Sequence, residues 1–183
     1  RQMCIRDSSY AALTGPVTIG PAPFTAVETV TGSVSAGDQL VLTTGNDAVT
    51  LAADDSPTVS GITFNSFENM SDNGGADTLT ITNRARLTGA NGFGGSGGDD
   101  RIIIDDSGDA AGRVYTISST DLTFDTGSMA IASLDATLGV SGNFGGGNDT
   151  VNLNEFAYRS NFDGGAGNDH LSFAGLAGPL TLS

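Results

Sequence analysis

The sequence predicts an all-β protein, a parallel β-solenoid (β-helix or β-roll) with Gly- and Asp-rich turns. Three observations predict it. A Gly-x-Asp turn followed by alternating apolar residues recurs five times. The acids are of the turn-forming kind, 18 Asp against three Glu, in a chain with 27 Gly; Asp and Gly favour turns, whereas Glu favours helices. Helical periodicity is missing, because apolar residues do not recur at three-and-four spacing over a useful length.

The chain opens with RQMCIRDSS, which holds two of the seven Arg, the one Cys and one of the three Met. It lacks the apolar stretch of a signal peptide. Residues 1–9 read as a non-native or disordered leader, and residues 10–183 as a single solenoid region, a piece of a longer protein. The first turn, AGDQLVL around Asp38, has its Gly one residue late. Five regular copies follow: GNDAVTL at Asp47, GADTLTI at Asp77, GDDRIII at Asp100, GNDTVNL at Asp149 and GNDHLSF at Asp169. Phe93, Phe144 and Phe162 precede the last three and read as core anchors of those turns. Between them, RVYTIS, LTFDT, MAIASL and ATLGV supply further strands, and the terminal GPLTLS reads as a strand in progress.

One unit has a simple physical logic. Gly reaches positive φ, so the backbone turns where a side chain would clash. Asp and Asn hold such turns by accepting from nearby amides. After the Asp, alternate residues are apolar, as in Leu79 and Ile81 or Val151 and Leu153. Period two means a strand with one buried face. A single unit cannot bury that face alone, and stacking does so. Asp149 to Asp169 spans 20 residues, Asp77 to Asp100 23 and Asp47 to Asp77 30. The 49 residues from Asp100 to Asp149 are close to two rungs, with a degenerate turn expected at FDTGSM, Phe124 to Met129.

Composition excludes several classes. Seven Arg, no Lys and 21 acids leave a net charge of −14, which repels nucleic acid and anionic membrane and suits cations. One Cys makes no disulfide framework. No run of 18 apolar residues is present, so no membrane insertion is expected. Zinc chemistry lacks its His and Cys clusters. A serine hydrolase would have only His170 as base, and that residue sits at the variable position after Asp169, facing out. A β-helix polysaccharide lyase is the best enzymatic alternative. Arg84 and Arg86 share a strand face on this reading, without a lyase-type carboxylate motif beside them.

The stretch GGAGNDHLS, Gly164 to Ser172, resembles the nonapeptide G-G-x-G-x-D-x-U-x of the haemolysin-type, or RTX, calcium-binding repeats at every specified position. The layout, one motif per rung with Thr- and Ser-rich strands between, also resembles the long repetitive surface proteins of bacteria. The resemblance implies a secreted or cell-surface protein in which Ca²⁺ is held between stacked turns by the Asp carboxylate and turn carbonyls. Carried over to this chain, it implies metal ligation by Asp169 with Gly164, Gly165 and Gly167, by Asp149 with Gly147, by Asp100 with Gly98, and by Asp77 and Asp47. Capping of a tight turn is the alternative role for each Asp. Asp99, Asp100, Asp105, Asp106 and Asp109 form the densest acidic cluster, either a cation site or a solvated face. The expected function is a non-catalytic calcium-binding structural or adhesive segment, with calcium ions and extracellular matrix or cell-surface glycans as partners. A metal-free solenoid and a lyase-like domain are the alternatives.

Overall fold

The computed structural model describes residues 17–18, 28–33, 37–94, 97–132, 139–154 and 159–175. The leader assigned to residues 1–9 and the terminal GPLTLS lie outside the described residues. Every regular element described is a strand. Along the chain these are β1 (Val17–Thr18), β2 (Thr29–Thr31), β3 (Gln39–Val41), β4 (Ala48–Leu51), β5 (Pro57–Val59), β6 (Ile62–Asn65), β7 (Asn69–Ser71), β8 (Thr78–Thr82) and β9 (Phe93–Gly94). There follow β10 (Arg101–Asp105), β11 (Val114–Ile117), β12 (Asp121–Phe124), β13 (Gly127–Ala132), β14 (Gly139–Asn143), β15 (Thr150–Asn154), β16 (Arg159–Asp163) and β17 (His170–Gly175).

They form two mostly parallel sheets. The first has nine strands in the order β1-β3-β7-β9-β13-β12-β11-β15-β17, the second eight in the order β16-β14-β10-β8-β4-β5-β6-β2. From β7 to β10 and from β13 to β17 the chain crosses from one sheet to the other at each step. Each crossing adds its strand parallel to one already in that sheet: β9 beside β7, β10 beside β8, β14 beside β10, β16 beside β14 and β17 beside β15, while β8 and β15 pass over a meander to pair with β4 and β11.

The period-two pattern becomes columns of stacked apolar side chains. In the second sheet Val49, Leu79, Ile102 and Val140 lie in register, and so do Leu51, Ile81 and Ile104. In the first sheet Leu40, Met70, Phe93 and Ile131 align. All of these are buried in one hydrophobic core. Thr50, Thr80, Ile103 and Ser141 form the alternate column, and only Ile103 among them departs from the expected polar residues.

Two antiparallel excursions interrupt the parallel ladders, and spacing did not reveal them. β4, β5 and β6 form a meander inside the 30-residue interval after Asp47. Its tight turn has Ser60 and Gly61 both at positive φ, 51° and 80°, the requirement of a two-residue hairpin whose twist matches its strands. The second excursion is β11-β12-β13. The FDTGSM segment, expected as a degenerate rung turn, instead closes the β12–β13 hairpin, with Phe124 opposite Gly127. The long interval therefore holds a meander within one sheet, flanked by β10 and β14 of the other.

Candidate metal centre

The five Gly-x-Asp turns do not make one column. Asp47, Asp77 and Asp100 precede β4, β8 and β10 of the second sheet, whereas Asp149 and Asp169 precede β15 and β17 of the first. The meander at β11–β13 moves the motif from one sheet to the other. Within each group the turns stack as the 20- and 23-residue spacings imply.

Four of the five Asp carboxylates, all but that of Asp47, have the same job. The Asp47 N–H donates to Asp77 Oδ1 (2.7 Å), and the Asp77 N–H to Asp100 Oδ1 (2.9 Å). In the other column the Arg113 N–H donates to Asp149 Oδ1 (2.8 Å), and the Asp149 N–H to Asp169 Oδ1 (2.9 Å). The side chain thus reaches along the stack to the preceding turn instead of capping its own. The residue before the Asp reaches the other way, to the following turn. Asn46 Oδ1 accepts from the Ala76 N–H (2.8 Å) and Asn148 Oδ1 from the Asn168 N–H (2.9 Å). The motif glycines allow these turns to touch. A Cβ on Gly98 would lie 1.4 Å from the Gly75 carbonyl oxygen, and one on Gly167 1.5 Å from that of Gly147.

The ten expected metal ligands are distributed as follows. Asp169 is exposed, and its carboxylate folds over Gly164. Gly165 and Gly167 sit against the turn that contains Gly147, one turn back along the column. Asp149 is buried, with Oδ2 lacking a hydrogen-bond partner. Asp47 Oδ2 accepts from the backbone and hydroxyl of Thr43, at 2.9 and 2.7 Å. Asp77 and Asp100, with Gly98, gather beside a residue the motif does not include, Asp72. It follows β7 and opens the loop that ends at Asp77. Carboxylate oxygens of Asp72, Asp77 and Asp100 all lie within 4.8 Å of one another. The sequence signal for Asp72 was the D-N-G-G-A-D loop, acidic at both ends.

Burial pushes the Asp77 carboxyl up to about 6, against the pull of its Asp47 amide hydrogen bond, and the Asp47 and Asp72 charges add to the rise. Asp100 moves in the same direction, again chiefly through burial, with Asp72 and Asp77 contributing. A raised carboxyl binds its proton more tightly in the folded state than in the unfolded chain, where the pKa is about 3.9. Its contribution is therefore most favourable at low pH and declines as pH rises through the window from about 4 to about 6. In EDTA, the melting temperature should fall across that window, and the Asp77→Asn, Asp100→Asn double variant should flatten the fall. A midpoint that climbs, or a slope unchanged in the variant, would contradict this electrostatic account.

The larger acidic cluster is not a single site. Arg84 reaches Asp106 (3.0 Å), Asp109 (2.5 Å) and Asp125 (3.3 Å), and Arg113 reaches Asp109 (2.7 Å) and Asp125 (2.9 Å). Tyr115 Oη donates to Asp106 (2.7 Å). The Arg113 hydrogen bond leads the contacts that hold the Asp109 carboxyl below the usual carboxylate range. Guanidinium groups already neutralise this end of the cluster, expected to be either a cation site or a solvated face, and Asp100 lies apart from it beside Asp72 and Asp77. Arg84 and Arg86 do not share a strand face. Both follow β8, Arg84 in a turn at a φ of 55° and Arg86 in the irregular chain beyond it, where it pairs with Asp54 (2.9 Å). His170 is exposed, as its position implied. The three Phe anchors pack as expected, Phe93 and Phe144 fully buried and Phe162 partly so against the core.

Comparison with protein-family models, with curated proteins and with solved structures finds no match to this chain. No helix among the described residues is long and apolar enough to cross a membrane.

Proposed function

We propose that the chain is a non-catalytic structural segment, a parallel β-solenoid that serves as a scaffold or adhesive stalk in a secreted or cell-surface bacterial protein, with Ca²⁺ as its stabilising ion. The observation that carries this reading is the pair of turn columns. The most regular residues of the sequence, the motif Gly and Asp, are engaged in holding one turn on the next. A scaffold uses its repeated residues in this way, whereas an enzyme keeps an irregular set free for substrate. The resemblance of Gly164–Ser172 to calcium-binding repeats supports an extracellular setting. Matrix or surface glycans are the proposed partners of the outer faces.

In a stacked array each turn contacts only its neighbours, so stability is a sum of local interfaces. Hydrogen exchange on the full chain carrying Leu51→Ala should therefore accelerate in β4 and β8 while β15 keeps its protection. Uniform acceleration over the whole chain would sink the solenoid reading. Release of unsaturated or reducing sugar from acidic polysaccharides by the purified chain would overturn the non-catalytic one.

A further inference from the structure

Asp72, Asp77 and Asp100 are 0, 1 and 2% exposed, so all three carboxylates are withdrawn from water. Burying one ionised carboxylate is costly, and burying three together without compensation more so. Elsewhere the chain answers crowded acids with Arg, as at Asp106 and Asp109. Here it does not. The neighbouring charges that act on Asp77 and Asp100 are themselves carboxylates, and no ion pair of the described residues involves either. An independent observation points to a ligand. Oδ1 of each accepts an amide from the preceding turn, but Oδ2 of each is buried with no hydrogen-bond partner. Buried polar atoms are almost always satisfied, and such orphans call for an ion or a water.

We propose that Asp72, Asp77 and Asp100 bind one hard divalent cation, Ca²⁺ by preference, which ties the loop Asp72–Asp77 to the turn at Gly98–Asp100. The donor set is all oxygen and anionic, with no nitrogen or sulfur ligand to favour a softer metal. Oxygens no more than 4.8 Å apart can both touch a single ion whose bonds are about 2.4 Å, the range of Ca²⁺. Ca²⁺ takes six to eight oxygens, and carbonyls of the glycine-rich turns would have to complete the shell. The site differs from a bare repeat motif because one of its three carboxylates, Asp72, comes from the far end of the loop. It also places the ion on the second-sheet column, not between Asp149 and Asp169. The inference rests on the reading of the chain as a cation-stabilised scaffold.

The test is calorimetric titration of the EDTA-treated full chain with CaCl₂, together with Asp72→Asn, Asp100→Asn, Asp149→Asn and Asp169→Asn. Asn keeps the shape of each side chain and, at Asp100, the oxygen that accepts the Asp77 amide. The tightest step should weaken on the order of tenfold or more in the first two variants, since ligand charge count sets Ca²⁺ affinity, and should persist in the last two. Thermal unfolding provides the second measurement. Asp72→Asn should melt no lower than wild type in EDTA, because a like charge is gone, yet gain less from added Ca²⁺. Wild-type affinity in both Asp72→Asn and Asp100→Asn, with loss in Asp149→Asn and Asp169→Asn, would overturn this site and keep a calcium-stabilised scaffold. No Ca²⁺ binding by wild type would remove the ion altogether and leave the metal-free scaffold, which hydrogen exchange tests separately.

Discussion

Gly98→Ala should unfold this protein or bring it close to unfolding, while Gly108→Ala should leave it almost unchanged. Gly98 has a φ of 118°, a conformation that costs an L-residue of order 1–3 kcal/mol. The added methyl would also sit 1.4 Å from the Gly75 carbonyl oxygen. That oxygen belongs to the backbone of the preceding turn, so relief requires two stacked turns to part. Forced overpacking adds about 1–3 kcal/mol more. A total of about 2–6 kcal/mol is a large share of the 5–15 kcal/mol that usually holds a domain together. At Gly108 no atom lies within 4 Å of an added Cβ, and such substitutions typically stay within about 0.5 kcal/mol. Gly167→Ala, 1.5 Å from the Gly147 carbonyl oxygen, should behave like Gly98→Ala. Urea unfolding followed by circular dichroism, in EDTA, separates these cases. Equal midpoints for the Gly98 and Gly108 variants would show that the turn contact carries no stability.

The second large effect is expected at Phe144. Its ring is fully buried and lies 4.4 Å from that of Tyr115 and 5.8 Å from that of Phe162, centroid to centroid. Truncating a core Phe to Ala costs about 3–5 kcal/mol, which for a chain of this size lowers the melting temperature by roughly 10 °C. The partner of this ring is an absence of side chain. A Cβ on Gly142 would lie 2.4 Å from the Phe144 ring. Gly142→Ala alone should therefore destabilise by about 1–3 kcal/mol, but in the Phe144→Ala background it should cost little, because the new methyl enters the space the ring vacated. Contacting residues are where additivity fails. A double-mutant cycle by thermal unfolding checks this, and strictly additive losses would refute the packing of the ring over Gly142.

Much of the fold was legible because its signals are local. Alternation at Leu79 and Ile81, or Val151 and Leu153, describes a strand with one buried face whatever surrounds it. Gly98 and Asp100 describe a turn from their own backbone preferences. The Phe residues before the last turns are large and apolar in a polar setting, so their burial followed. The sequence by itself therefore determined that the chain is all-β, that its turns are Gly- and Asp-built, and which residues face the core. It also determined the charge balance, 21 acids against seven Arg.

Only the tertiary structure decided how the turns are grouped. Whether FDTGSM ends a rung or closes a hairpin depends on which strand lies beside β12, and short segments of the same composition satisfy either pairing. That choice moved Asp149 and Asp169 to the other sheet from Asp47, Asp77 and Asp100. It likewise decided which acids meet Arg84 and Arg113 and which do not. Asp72 and Asp100 are 28 residues apart, and no local rule brings them together. They meet because β7 and β9 stack in one sheet while β8 and β10 stack in the other, so the loops between them lie in successive layers with their acids buried side by side.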